Sequence, residues 1–373
     1  MSDYLIACGG TGGHLAPGIA LAEALRARGH DAVLIVSRKQ VDAKLCSQYP
    51  ELRFEPLPGR PFSFGSPASW WDLFKACRHA RRLIRERRPA AAVCFGGFTS
   101  AGVALASRLS GLPLYLHEAN HVPGKAVRLF RRLARRVFVP DGVRWKHASD
   151  PRVSALGFPL RMGMKPMSRL AARRALGLPE EGRILLVLGG SQGAEPLNRW
   201  VEAAAPALAS RGICIVCIAG MARVREPVVQ SLAGPVAGGS VPIWWLPFTD
   251  RMPEFMCAAD LAVARAGAGT ISEMAALGLP SILVPYPQAA DDHQTANAEA
   301  AARRGGATVL VQERMDEASD LVLGLLDDEN ALAAMRDVLG VANSAPGARE
   351  RLADIIISET SPAANGPDAS DRR

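Results

Sequence analysis

The 373-residue chain contains no run of 18 apolar residues, which excludes a membrane-spanning helix. Its N-terminus lacks the basic stretch and apolar core of a signal peptide, so the chain is expected to stay in the cytoplasm. The cysteines are seven, scattered and odd in number, which fits reduced thiols rather than a disulfide framework. Cys214 and Cys217 read as CxxC, yet they lie in GICIVCIAG, an apolar strand-like run. Residues three apart on a strand face opposite ways, so this pair does not share a metal or close a disulfide. No Asp-x-Asp occurs. The dinucleotide pattern G-x-G-x-x-G is missed twice, by Leu15 in GGTGGHL and by Ser272 in GAGTIS. The P-loop is absent too, since Gly124-Lys125 has none of its other residues.

What is present is ordinary for a globular protein: 49% hydrophobic and 21% charged residues, at a length that suits two domains. The net charge of +8 is unevenly spread. Residues 1–162 carry a net of +14 and residues 163–373 a net of −6. The first half therefore meets something anionic: nucleic acid, a membrane surface or a phosphorylated substrate. An architectural repeat divides the chain at the same place. An apolar run, a glycine cluster and a helix-like stretch open the chain at MSDYLIACGGTGGHLAPGIALAEAL and return at RILLVLGGSQGAEPLNRWVEAAAPAL. Short apolar runs then alternate with helical stretches in each half. That pattern predicts an α/β fold of two Rossmann-like, doubly wound parallel-sheet domains, 1–162 and 163–340, facing across a cleft. The linker is expected within 157–169, a helical segment at 341–357 is expected to pack back on the first domain, and 358–373 is expected to be a disordered tail.

In such sheets ligands sit beyond the carboxyl ends of the strands, so two glycine loops would face one cleft. Crowded glycines let backbone N–H groups approach an anion, and a helix start adds a partial positive charge. His14 brings a titratable group to the first such loop. Gly189-Gly190-Ser191-Gln192-Gly193 also matches the G-x-S-x-G elbow of α/β hydrolases, for which His293 is the only later histidine. A phosphate loop explains the same residues without a triad. In ARAGAGTISEMAALGLP, Thr270 or Ser272 is expected to cap a helix with Glu273 in its first turn. Glu273 suits ribose hydroxyls or, more simply, the charge of a helix start. Gln294 and Asn297 are amides suited to sugar hydroxyls or to solvent.

GGTGGH, FGGFTSAG, HEAN, GFPLR, GGSQGA, the 264–273 run and DDHQTANA together resemble the MurG family of glycosyltransferase family 28. The resemblance spans residues 4–357 and implies the GT-B fold. It implies metal-independent, inverting transfer of N-acetylglucosamine from UDP-N-acetylglucosamine to undecaprenyl-pyrophosphoryl-muramyl-pentapeptide, with no cofactor. It further implies peripheral attachment to the cytoplasmic face of the cell membrane. Carried over residue by residue, Thr11, Gly12, Gly13 and Asn120 contact substrate, and Arg161 and Ser191 hold the diphosphate. Thr249 meets the uracil, while Ala268, Gly269, Thr270, Ile271, Ser272 and Glu273 hold the nucleotide, with Glu273 on the ribose. Gln294 binds the transferred sugar. His14 is the expected base and Glu118 the alternative. Phe158 and Ala119 depart from the family pattern, which has Asn and Gln there.

Two basic stretches remain. RPFSFGSPASWWDLFKACRHARRLIRERR joins aromatics to arginines, and KAVRLFRRLARR adds a second amphipathic run. Aromatics flanked by Lys and Arg mark attachment to an anionic lipid surface, while a solvated basic helix face is the simpler reading. No nucleic-acid motif accompanies them, so nucleic acid is not an expected partner.

Overall fold

A computed structural model describes residues 2–9, 12–37, 45–57, 66–190, 193–235, 239–342 and 347–361. The N-terminal sheet contains β1 (Asp3–Ala7), β2 (Asp31–Val36), β3 (Arg53–Pro56), β4 (Ala91–Cys94), β5 (Leu114–His117), β6 (Arg136–Val139) and β7 (Val153–Ala155). Their order is β3-β2-β1-β4-β5-β6-β7, all parallel. The second sheet contains β8 (Arg183–Leu188), β9 (Ile213–Ile218), β10 (Val228–Ala233), β11 (Ser240–Leu246), β12 (Leu261–Ala264), β13 (Ser281–Leu283) and β14 (Ala307–Val309). Its order is β10-β11-β9-β8-β12-β13-β14, parallel except for the β10–β11 pair. The fold is thus two doubly wound α/β domains.

The central strands are continuous apolar runs because helices cover both faces. β9 shows this directly. Its Cys214 packs into the core on one face and Cys217 into the core on the other, and both thiols are free. Burial pushes each thiol pKa up to about 12, so neither is a ready nucleophile or metal ligand.

Strand order reverses between β1 and β4 in the first sheet and between β8 and β12 in the second. Those are the switch points at which a crevice opens beyond the strand ends. GGTGGH follows β1, FGGFTS follows β4, GGSQGA follows β8 and ARAGAGT overlaps the end of β12. Topology therefore puts the glycine-rich motifs at the two crevices.

Four strands lack the apolar runs that mark the others in the sequence: β3, β7, β10 and β14. All are short or lie at sheet edges, and β10 is exposed along most of its length, so none carries a long apolar run. The helix Ala348–Thr360 lies on the N-terminal domain. Its Leu352, Ala353 and Ile356 join the core that holds Tyr4, Ile6 and Leu25. Tyr115 Oη donates to Glu359 at 2.9 Å, and Arg28 Nε pairs with Asp354 at 2.5 Å. Tyr4 Oη meets Thr360 Oγ1 at 3.0 Å. These anchors carry the helix past 357, which corrects the tail expected from 358. Residues 362–373 lie outside the described residues.

Candidate functional site

The opening turn and the FGGFTS turn are packed together. Gly9 has no room for a side chain, since a Cβ would collide with the backbone of Val36 and Ser37. Its carbonyl accepts from Thr99 Oγ1 at 3.1 Å. The next helix, Gly12–Arg26, begins with Gly13 exposed and His14 half-buried. Gly96 and Gly97, both in the left-handed region at φ +97° and +75°, form the wall beside the imidazole. A Cβ on Gly96 would stand 3.0 Å from His14 Nε2. Glycine is required there for conformation and for space. The motif FGGFTS was read as a family mark; its structural part is to seat His14. Thr11 and Ser191 lie outside the described residues.

β5 ends at the HEAN motif. His117 is buried against Phe95, with ring centroids 5.2 Å apart, and its Nε2 meets the Gly157 carbonyl at 3.3 Å. Burial lowers its pKa to about 4. The Glu118 carboxylate is buried and held from several sides. Oε1 accepts from the N–H and the Nδ2 of Asn120, both at 2.9 Å, and Oε2 accepts from the Gly124 N–H at 2.6 Å. Burial raises its pKa and these donors oppose the shift. Glu118 therefore shapes the 118–124 loop; its lone pairs are committed, unlike those of a free base. Asn120 has both amide ends engaged as well. Its Oδ1 accepts from Asn297 Nδ2 at 3.1 Å. Asn297 Oδ1 accepts from the His121 N–H at 2.9 Å, and its Nδ2 also donates to the Ala266 carbonyl at 3.2 Å. Asn297, read in sequence as a sugar or solvent contact, is instead a buried cross-link between the domains.

On the second domain, the helix Ala268–Ala276 starts after Gly267 with no side-chain cap. This corrects the expected cap by Thr270 or Ser272. Ser272 Oγ donates back to the Ala268 carbonyl at 2.8 Å, so it serves its own helix. Glu273 falls in the second turn rather than the first. The first N–H groups of this helix have no side-chain cap to satisfy them. Gly269 faces Phe158 of the linker, whose ring a Cβ would approach to 3.3 Å. Ala268, Ile271 and Ser272 line an interdomain cavity with Ala119, Gly157 and Phe158.

Arg161 and Glu273 meet across this seam. Arg161 Nη2 stands 3.4 Å from Glu273 Oε1, and Nη1 stands 3.4 Å from Tyr49 Oη. Both contacts are long, and the buried Arg161 Nε has no partner among the described residues. Burial raises the Glu273 pKa, against the pull of Arg161. Thr249 lies after β11 in a cleft shared with Trp244, Phe248 and, from the first domain, Ser47 and Gln48. Gln294 lies in the first turn of the helix His293–Arg303, and its Oε1 accepts from the Tyr286 N–H at 3.0 Å. His293 Nδ1 bonds the Ala290 carbonyl at 2.8 Å, a local contact rather than one leg of a triad.

A separate surface lies on the first domain. The helix Pro67–Arg87 exposes Trp70 (51%), Trp71 (58%) and Phe74 (55%). Trp71 and Phe74 stack at 5.5 Å, and Lys75 sits over the Trp71 ring. Residues 60–65 of this stretch lie outside the described residues. Among the described residues no helix is long and apolar enough to cross a membrane.

The profile described as "Glycosyltransferase family 28 N-terminal domain" matches residues 4–139, and "Glycosyltransferase family 28 C-terminal domain" matches 184–350. The chain is 44% identical over 339 residues to the UDP-N-acetylglucosamine–N-acetylmuramyl-(pentapeptide) pyrophosphoryl-undecaprenol N-acetylglucosamine transferase of Opitutus terrae, covering 90% of this chain and 89% of that protein. It is 37% identical over 339 residues to the protein of the same name from Methylococcus capsulatus, covering 89% and 91%. The crystal structure of Acinetobacter baumannii MurG superposes with a TM-score of 0.70 at 26% identity, covering 95% of this chain and 99% of that one.

Proposed function

The chain belongs to glycosyltransferase family 28, and we infer from that premise that it transfers N-acetylglucosamine from UDP-N-acetylglucosamine to the 4-hydroxyl of lipid-linked N-acetylmuramyl-pentapeptide, with inversion. It is a hexosyltransferase. The observation that carries the donor site is Arg161: a partly buried guanidinium whose buried Nε has no partner among the described residues, held by two long contacts, beside Glu273 and the uncapped 268–276 helix. A diphosphate would give the guanidinium its missing bonds, and an adjoining ribose would reach Glu273. Thr249 would then stand at the base, and Gln294 at the sugar. Gly12 and Gly13 would line the transfer site, while Thr11 and Ser191, which the family resemblance assigns to substrate and diphosphate, lie outside the described residues.

In the reaction the acceptor hydroxyl oxygen attacks the anomeric carbon while the bond to the UDP oxygen breaks. The proton leaves the hydroxyl for His14. The electron pair leaves with UDP, whose added charge is met by Arg161 and by helix N–H groups. Asn120 and Glu118 act by holding the loop that closes the seam. The Trp70–Trp71–Phe74 face, with its arginines, would rest on the cytoplasmic leaflet, where the lipid-linked acceptor lies.

Transfer of radiolabelled N-acetylglucosamine to a lipid-soluble muramyl-pentapeptide acceptor tests the reaction. His14→Ala is expected to lower kcat by about 10²–10⁴ while UDP binding is kept. The acidic limb of kcat between about pH 5 and 9 is expected to vanish in the variant. A limb that survives places the base elsewhere.

A further inference from the structure

Arg265 is a buried guanidinium without an ion pair among the described residues, whereas the buried Arg173 pairs with Asp260 at 2.8 Å. It follows β12. Its Nη1 donates to the carbonyls of Val284 at 3.2 Å and Pro285 at 3.1 Å, just beyond β13. Its Nη2 donates to Gln312 Oε1 at 2.6 Å, just beyond β14. One planar group thus ties the carboxyl ends of three adjacent strands, the edge at which ligands bind in such sheets. The guanidinium also lies over the Tyr286 ring, 5.5 Å from its centroid. The Tyr286 N–H in turn donates to Gln294 Oε1. The loop that follows carries Asp291 and Asp292 with φ of 54° and 52°, values that side chains other than glycine seldom adopt. Asp291 is held from the first domain by an ion pair with Arg128.

The chemistry of that chain has a consequence for Gln294. A backbone N–H can only donate, so the amide oxygen of Gln294 must face Tyr286. The NH2 end remains for a ligand, and it can only donate. We propose that Arg265, through the strand ends and Tyr286, orients Gln294 as an obligate hydrogen-bond donor to an oxygen of the transferred sugar, so that it sets affinity for the sugar and not for the nucleotide. The inference rests on the donor-site reading above. Arg265 is in this view a positioning residue.

The test is calorimetric titration of UDP and of UDP-N-acetylglucosamine into the full-length protein, with the ratio of the two Kd values as the readout. Gln294→Glu keeps the shape and still accepts from Tyr286 but cannot donate. It is expected to weaken UDP-N-acetylglucosamine about tenfold relative to UDP, and the ratio cancels any general effect of the added charge. Arg265→Lys keeps the charge but cannot reach both carbonyls and Gln312. It is expected to shift the ratio the same way, by about three- to tenfold. Equal losses for both ligands, or an unchanged ratio in Gln294→Glu, would overturn the proposal. Gln294 is partly exposed, so its variant keeps the proposal testable should Arg265→Lys fail to fold. A wild-type protein that binds neither ligand would overturn the donor-site reading itself.

Discussion

At the scale of single residues, two groups divide the electrostatic work. Glu273 is mostly buried, and among the described residues Arg161, at 3.4 Å, is its ion-pair partner. Replacing it with alanine is expected to raise the KM for UDP-N-acetylglucosamine about 10- to 150-fold, the worth of a hydrogen bond to a charged group. Steady-state kinetics on a variant of unchanged thermal stability checks this, and an unchanged KM removes Glu273 from the nucleotide site. His117 acts on stability instead. Burial holds its folded pKa at about 4 against a model-peptide value of 6.5. Between those values the unfolded chain binds the extra proton, so stability falls as pH falls through that window. The full loss is about 3 kcal/mol. Glu118 and Glu273, with raised pKa values, oppose it by gaining stability as pH falls. Urea unfolding of wild type and His117→Phe between about pH 4 and 7 is expected to show a shallower acid decline in the variant.

At the scale of elements, the chain Glu118–Asn120–Asn297 joins the β5 loop to Ala266, just before the helix Ala268–Ala276. Glu118 and Asn297 are buried, and the members satisfy one another, which makes removal costly. Asn297→Ala leaves the His121 N–H, the Asn120 Oδ1 and the Ala266 carbonyl without these partners. The expected cost is about 1–3 kcal/mol for each buried polar group left unpaired. Because the bonds cross between domains, differential scanning calorimetry is expected to show the two domains unfolding in more separated transitions. One unchanged transition would show that the seam is held by other contacts, such as Arg144 with Glu299.

At the scale of the whole molecule, charge and topology agree. The strongly basic half, net +14 against −6 for the rest, is the half that carries the exposed tryptophans. Trp70, Trp71 and Phe74 replaced together by alanine are expected to weaken binding to anionic phospholipid vesicles at least about tenfold, from lost burial of aromatic area. Affinity for UDP-N-acetylglucosamine is expected to stay as in wild type, because the proposed donor site lies on the other domain and the seam. Vesicle co-sedimentation at two salt concentrations separates this apolar part from the screened basic part. Unaltered sedimentation of the triple variant would reduce the face to a solvated helix surface.

Local order along the chain determined the two α/β halves and the glycine turns at their switch points. These features follow from periodicities and from residues that alone tolerate certain backbone shapes, and both are written in neighbouring positions. The short edge strands β3, β7, β10 and β14 lacked that signal, since their pairing partners rather than their own side chains make them strands. Candidate residue types were legible too: His14 and Glu273 stood out beside glycine turns, and Arg161 followed from the family resemblance. Partner choice was decided only by tertiary structure. Arg161 and Glu273 are 112 residues apart, Asn120 and Asn297 are 177 apart, and each pair meets because two separately folded sheets abut. An amide or a carboxylate carries no local mark of what it will bond, so Asn297 reads as a ligand contact until the other domain is in place. The same holds for Arg265, whose three acceptors come together only when β12, β13 and β14 lie side by side.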